Sequence, residues 1–261
     1  VKFAELYRIA ERLGCAALAT GHYAKVEQVN GSAQLHRGHD HSKDQSYFLF
    51  SLRPDQLERL VFPLGESTKL EVRAEAIRLG LPGATKGESQ ELCFVQTGEY
   101  DRFIEAQSPE RVRPGNIVDR DGRVLGPHRG VHHFTLGQRK NLGVATGQRT
   151  YVTAIDAATA DVHLGEKTDL ERDWARLDDV QLAADVCLPL RAKCMVRYRG
   201  ELHPARIQDR NGGIYADFEV PVAPVVPGQF AVFFHDTRVL GGGKIVETGR
   251  AYPAANPLES S

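Results

Sequence analysis

The residue of this sequence best placed for covalent chemistry is Cys93. It stands in Thr85-Lys86-Gly87-Glu88-Ser89-Gln90-Glu91-Leu92-Cys93-Phe94, where a polar segment bends into a short apolar step and sets a thiol near a loop end. A functional thiol fits that position, and so does a buried structural cysteine. Three further segments could recognise a charged or aromatic ligand. Lys43-Asp44-Gln45-Ser46 puts a cation, an anion and an amide side by side before the apolar run Tyr47-Phe48-Leu49-Phe50, a set able to hold a phosphate or a base edge. It also fits a polar loop entering a helix, with Asp44 or Ser46 near a cap. In Thr135-Leu136-Gly137-Gln138-Arg139-Lys140-Asn141-Leu142-Gly143 two glycines bracket adjacent bases, so that backbone can approach a ligand whose charge the bases neutralise. Arg197-Tyr198-Arg199 reads as strand, with Tyr198 on the face opposite the two arginines. Arginine beside an aromatic is a pair that contacts RNA, and it is ordinary strand composition as well.

The elements that must position these residues follow from periodicity and punctuation. Phe3, Leu6, Tyr7, Ala10 and Leu13 recur at helical spacing and stop at Gly14. The apolar run Cys15 to Thr20 reads as a buried strand after that helix, which places Gly21-His22-Tyr23 at a strand's carboxyl end, where open α/β sheets bind ligands. Asn30-Gly31 between Ala24–Val29 and Ala33–Arg37 predicts a hairpin. Thr68-x-x-Glu71 is a capping box opening a helix to Leu79, with Gly80 as its stop, and a further helix runs from Tyr100 to Gln107. Beyond Pro109 the character becomes β: a hairpin about Asp121-Gly122, then strands at His132–Thr135, Tyr151–Ile155 and Val162–Leu164. After the polar stretch Glu166–Trp174, strands over Lys193–Arg199, Ala205–Asp209, Ile214–Phe218, Gln229–Phe234, Val239–Leu240 and Lys244–Val246 predict a small β-barrel. The tail from Tyr252 to Ser261 reads as disordered.

Composition bounds the rest. The chain has 261 residues, 41% hydrophobic and 26% charged, as in soluble globular proteins with more than one domain. No apolar run approaches the roughly 18 residues that span a bilayer, so no membrane partner is expected. Net charge is −1, but its distribution is uneven. Gly122 to Ile155 contains no acid and five bases, Arg123, Arg129, Arg139, Lys140 and Arg149; Arg191 to Arg210 has six bases against two acids. Such local basic surfaces bind phosphate backbones, and solvated strand faces look the same in sequence. The four cysteines, Cys15, Cys93, Cys187 and Cys194, have neither metal-site nor disulfide-scaffold spacing, which favours a reducing cytoplasm.

Six segments together resemble one family. Ala19-Thr20-Gly21-His22-Tyr23, Lys43-Asp44-Gln45-Ser46-Tyr47, Phe62-Pro63-Leu64-Gly65, Ser89-Gln90-Glu91-Leu92-Cys93-Phe94, Thr135-Leu136-Gly137-Gln138-Arg139-Lys140 and Val226-Pro227-Gly228-Gln229 stand in the order and spacing of the tRNA-specific 2-thiouridylases. The resemblance covers Val1 to about Gly249. It implies α/β plus β architecture: part of a Rossmann-like ATP-pyrophosphatase domain of the adenine nucleotide α-hydrolase type over 1–88, a small central β-rich domain over 89–165, and a C-terminal β-barrel over 166–250. It also implies a reaction. ATP, with Mg²⁺, adenylates the wobble uridine at its C2 oxygen, and a cysteine persulfide then delivers sulfur. Residue by residue, Cys93 matches the persulfide carrier, Gly21 the glycine that approaches ATP, and His22, Lys43, Asp44, Gln45, Arg197, Tyr198 and Gln229 the tRNA contacts. The implied partners are tRNA and a persulfide donor, either a cysteine desulfurase or a sulfur-relay protein.

The sequence departs from the pattern in two places that matter. The family's Ser-Gly-Gly-x-Asp-Ser phosphate loop and its Asn-Pro-Cys motif, with the second catalytic cysteine and hence any disulfide to Cys93, are absent and belong upstream of Val1. The natural protein is therefore expected to extend about a hundred residues further at its N-terminus, and the 261 residues alone are expected to be inactive. Glu88 also stands where Asp is usual. A tRNA-binding fragment or paralogue without catalysis, and a different ATP-pyrophosphatase acting on a small molecule, are the competing readings.

Overall fold

The structure is a computed structural model that describes residues 2–85, 100–109 and 112–250. Cys93 and the tail expected to be disordered lie outside the described residues. Those described fall into two compact units, one holding 2–85, 173–220 and 226–250, the other 100–109, 112–172 and 221–225.

In the first unit, helix α1 (Lys2–Arg12) buries Tyr7 and Ala10. It ends in a Schellman turn: Gly14 adopts φ +67°, Cys15 N–H donates to the Ala10 carbonyl at 2.9 Å, and Gly14 N–H to that of Glu11 at 3.1 Å. The run read as a buried strand behaves differently. Only Leu18–Ala19 (β1) is strand, paired in parallel with Leu60–Val61 (β4), while Cys15, Ala16 and Ala17 are exposed. The helix exit consumes those three residues, and apolar composition alone does not bury a segment. The hairpin forms as expected from β2 (Ala24–Val29) and β3 (Ser32–Arg37), with Asn30 and Gly31 at φ +50° and +79°, the two positive values a tight hairpin turn needs. Short helices α2 (Ser46–Leu49) and α3 (Pro54–Leu57) follow. Helix α4 (Lys69–Arg78) opens on the predicted capping box, with Thr68 N–H donating to Glu71 Oε2 at 2.7 Å.

The second unit contains α5 (Tyr100–Gln107) and the strands β5 (Gly115–Val118), β6 (Val124–His128), β7 (Tyr151–Ile155) and β8 (Val162–Gly165), ordered β6-β5-β8-β7. Ile117, Leu142, Val152, Val162 and Leu164 form its core. The strand expected over His132–Thr135 is instead a 3₁₀ turn at Val131–His133. Val131 and Phe134 both pack on the core, and their three-residue spacing suits the 3₁₀ period.

The remaining strands return to the first unit: β9 (Arg172–Leu182), β10 (Leu190–Met195), β11 (His203–Arg210), β12 (Gly213–Val222), β13 (Phe230–His235) and β14 (Arg238–Gly249). Their order β13-β10-β11-β12-β9-β14 closes through a β13–β14 pairing into a six-stranded barrel. The hairpin β3-β2 is added onto β14, where His36 pairs with Arg238 and Arg37 N–H donates to the Thr237 carbonyl at 2.8 Å. Strand β9 had no counterpart in the sequence reading, because charged residues mask the inward pair Ala175 and Leu177. One core joins the N-terminal elements to the barrel: Tyr7, Leu35, Tyr47, Leu49, Phe62, Met195, Val232 and Phe234 are all buried in it. No described helix is long and apolar enough to cross a membrane.

Candidate nucleic-acid interface

The loop after the β2–β3 hairpin is organised by one buried carboxylate. Asp44, 5% exposed, receives Arg37 Nε–H at 2.7 Å, the backbone N–H groups of Gly38 (3.2 Å) and Ser46 (3.1 Å), and the Ser46 hydroxyl (3.1 Å). A buried charge is tolerable only with such partners. Arg37 also lies over the Phe234 ring, 5.8 Å from its centroid. The next residue, Gln45, ties the loop to the start of β2: its Oε1 accepts from Tyr23 N–H at 3.0 Å, and its own N–H donates to the Tyr23 carbonyl at 2.9 Å. Lys43, half-buried, is carried on the loop these two residues fix. Sequence reasoning named Lys43, Asp44 and Gln45 but missed Arg37; the only available signal was an arginine seven residues ahead of a predicted loop acid.

Against this loop comes a turn from the barrel. Arg197, Tyr198 and Arg199 were expected on a strand with Tyr198 facing away from the arginines. Strand β10 ends at Met195 instead, and Gly200 N–H donates to the Arg197 carbonyl at 3.0 Å. Arg199 sits at φ +57°, which breaks the alternation, and its guanidinium lies 5.1 Å from the Tyr198 ring centroid. The loop and turn line an open groove of about 430 Å³ whose walls include Arg37, His41, Lys43, Tyr198 and Arg199. At its rim the exposed ring of Phe48 packs on Tyr198 with centroids 4.5 Å apart. Cations beside accessible aromatic faces suit a polyanion with stacking bases. Arg197 itself is exposed on the turn.

The other candidate residues, Gly21, His22 and Gln229, do not line this groove. His22 accepts or donates at Thr20 Oγ1 (2.9 Å) and packs its ring against Phe3 and Phe62. At Gly21 an added methyl would meet nothing nearer than Leu64 at 3.6 Å, so packing does not require the glycine, and its exposed backbone is open to a ligand. Gln229 is exposed on the turn before β13. Its neighbour Phe230 is clasped by the Tyr47 hydroxyl, which donates to the Phe230 carbonyl at 2.8 Å and accepts from its N–H at 3.2 Å. Tyr47 also lines the groove, and burial pushes its hydroxyl pKa up to about 12, an effect the Phe230 hydrogen bond partly opposes.

Two basic surfaces lie elsewhere. On the barrel, Arg191 is directly opposite Arg206 across the β10–β11 pair and both are exposed. Like charges in that register cost stability, a cost a bound anion would offset. In the second unit Arg139, Lys140 and Arg149 line an open groove of about 580 Å³. The loop between is held by Gln138, whose Oε1 accepts from Thr135 N–H at 2.9 Å and whose Nε2 donates to the Lys140 carbonyl at 3.0 Å. Of the described cysteines, Cys15 and Cys187 are exposed, while Cys194 is buried and its thiol is driven far up in pKa by desolvation, which keeps it protonated and unreactive.

Comparison with known proteins covers nearly the whole chain. Three family models match in succession: a tRNA methyl transferase HUP domain over 1–97, a tRNA methyl transferase PRC-barrel domain over 101–166, and an aminomethyltransferase beta-barrel domain over 176–245. A tRNA-specific 2-thiouridylase MnmA of Sorangium cellulosum is 51% identical over 98% of this chain and 68% of its own length. Proteins of the same name from Syntrophotalea carbinolica and Xanthobacter autotrophicus are 47% and 42% identical, over 94% and 96% of this chain and 70% and 67% of theirs.

Proposed function

Because this chain belongs to the family of tRNA-specific 2-thiouridylases, we propose that it acts as a tRNA-uridine 2-sulfurtransferase with the groove between the Lys43 loop and the Arg197–Gly200 turn as part of its tRNA interface. The observation that carries the interface is the meeting of two segments some 150 residues apart in sequence: one brings Lys43 and the other Tyr198 and Arg199 to a single groove with an aromatic rim. In this reading Lys43, Arg197 and Arg199 neutralise phosphates, Tyr198 and Phe48 offer stacking faces, and Asp44 and Gln45 act through the loop they hold. His22 and Gln229 are assigned RNA contacts outside the groove. The opposed Arg191–Arg206 pair and, in the second unit, the Arg139–Arg149 groove are further surfaces suited to phosphate.

The reaction we assign has two steps. The uridine C2 oxygen attacks the α-phosphorus of ATP and releases pyrophosphate, which turns a poor leaving group into a good one. The terminal sulfur of a persulfide on Cys93 then attacks C2, and AMP leaves. The second cysteine, the one of the family's Asn-Pro-Cys motif in the full-length protein, attacks the Cys93 sulfur, breaks the S–S bond and leaves the outer sulfur on C2 and a disulfide on the protein. Gly21 fits an adenine nucleotide, since its bare backbone at the end of β1 is left open by the protein. Mg²⁺ takes oxygen ligands, and the carboxylate in the groove is already saturated by Arg37, Gly38 and Ser46. The steps assigned here to the chain's own residues do not pass through it. The functional division we assign is nucleotide binding in 1–88, a central tRNA-binding part in 89–165 and the barrel in 166–250. A cytoplasmic site of action, with a cysteine desulfurase or relay protein as sulfur donor, follows from the substrate and the thiol chemistry.

The test is mass spectrometry of nucleosides from tRNA incubated with full-length protein, ATP and a persulfide donor. One uridine oxygen replaced by sulfur is expected. tRNA that is bound but left unmodified would replace this reading with that of a binding protein.

A further inference from the structure

The second unit gathers three metal-ligating side chains that the sulfur-transfer reaction does not use. His132 and His133 project from the 3₁₀ turn Val131–His133, and Glu105 projects from α5. Glu105 Oε1 lies 3.2 Å from His132 Nε2 and 3.6 Å from His133 Nε2, and one ligand atom from each residue falls within 4.8 Å of the others. Four ligands placed tetrahedrally at zinc-like bond lengths are separated from each other by about 3.3 Å. The two nitrogen–oxygen separations bracket that edge.

We propose that Glu105, His132 and His133 form a binding site for one divalent transition metal of the zinc class, which clamps α5 to the turn leading into the Thr135–Gly143 loop. His132 Nε2 lies within hydrogen-bond distance of Glu105 Oε1 and His133 Nε2 within ion-pair distance of the same atom. The two rings lie with centroids 4.1 Å apart and turn the same nitrogen toward that oxygen. A cation between them would draw on all three groups at once. The donor set of two imidazoles and one carboxylate selects zinc, cobalt or nickel over magnesium and calcium, which prefer all-oxygen cages.

An independent feature supports a built site. Gly130 is extended (φ 179°), a conformation open to any residue, so no turn requires a glycine there. A methyl at this position would land on the His132 ring at Cε1 and Nδ1. The missing side chain makes room for the ring in the cluster. Three protein ligands leave a position for water or an oxyanion, as in zinc sites with an open position.

The experiment is titration of the full chain with Co²⁺, read by visible ligand-field absorption, followed by displacement with Zn²⁺ against a chromophoric chelator. One equivalent is expected, without the charge-transfer band of a thiolate ligand. Glu105→Gln, His133→Asn and Gly130→Ala should each weaken binding at least tenfold, while His41→Ala, a histidine of the other unit, should not. Circular dichroism in the presence of chelator should show all four variants folded like the parent. Zn²⁺ should also raise the melting temperature of the parent and not of the three cluster variants. No uptake by the parent, uptake unchanged in the cluster variants, or a thiolate band would overturn the proposal.

Discussion

Asp44→Ala separates a carboxylate that organises the groove from one that merely decorates it. The substitution removes the counter-ion of Arg37, whose side chain is only 12% exposed, and the acceptor for the Gly38 and Ser46 amides. Removing one partner of a buried ion pair costs about 3–5 kcal/mol, because the other charge stays buried and alone. Exposed pairs cost about 0–1 kcal/mol. Urea unfolding followed by circular dichroism distinguishes the two, and a loss in the upper range is expected, with faster hydrogen exchange at the Gly38 and Ser46 amides. The double variant Arg37→Met, Asp44→Leu relieves the stranded charge but not the two amides, so it should recover roughly 2 kcal/mol of the loss and no more. A loss below about 1 kcal/mol for Asp44→Ala, with both amides still protected, would refute the reasoning.

Three further outcomes follow from the same geometry. Cys93→Ser in the full-length protein should abolish thiolation while tRNA affinity by filter binding stays within about twofold; normal turnover would return Cys93 to a structural role. Arg197→Ala should weaken tRNA binding and lower the slope of log K against log salt by about one phosphate contact; an unchanged slope removes Arg197 from the interface. Tyr47 keeps its proton in the folded state up to about pH 12, whereas an unfolded tyrosine loses it near 10. Its contribution is therefore complete below about pH 10 and fades as pH rises toward 12. Tyr47→Phe should lower stability at neutral pH by about 1–3 kcal/mol through the Phe230 amide and carbonyl it abandons, and should flatten part of the alkaline decline, with the equally raised Tyr7 supplying another part.

Local chemistry was readable in the sequence wherever one residue type decides the backbone. Asn30-Gly31 fixed a hairpin, Thr68 and Glu71 a helix start, and Gly14 a helix end, and each forms as expected. Boundaries failed where alternation was a poor guide. Val196-Arg197-Tyr198-Arg199 alternates like a strand, but Arg199 takes a left-handed φ that pattern alone does not reveal. His132–Thr135 looked like strand, while Val131 and Phe134 share one core at a spacing of three. Asp44 was named as a candidate from its neighbours in sequence, yet its role comes from Arg37 and Gly38 across the loop. Nor does any local signal say that β3 joins the barrel, because the pairing of His36 with Arg238 spans the length of the chain. The thiol at the centre of the assigned chemistry lies outside the described residues.

That last pairing sets an order of events during synthesis. Leu35 and Tyr47 share a core with Val232, Phe234 and Val239, so the early hairpin and the Lys43 loop have no finished bed until the final strands leave the ribosome. A nascent chain halted before residue 230 would carry Arg37 without the Phe234 ring it lies over. The groove proposed to grip tRNA is thus completed late in translation.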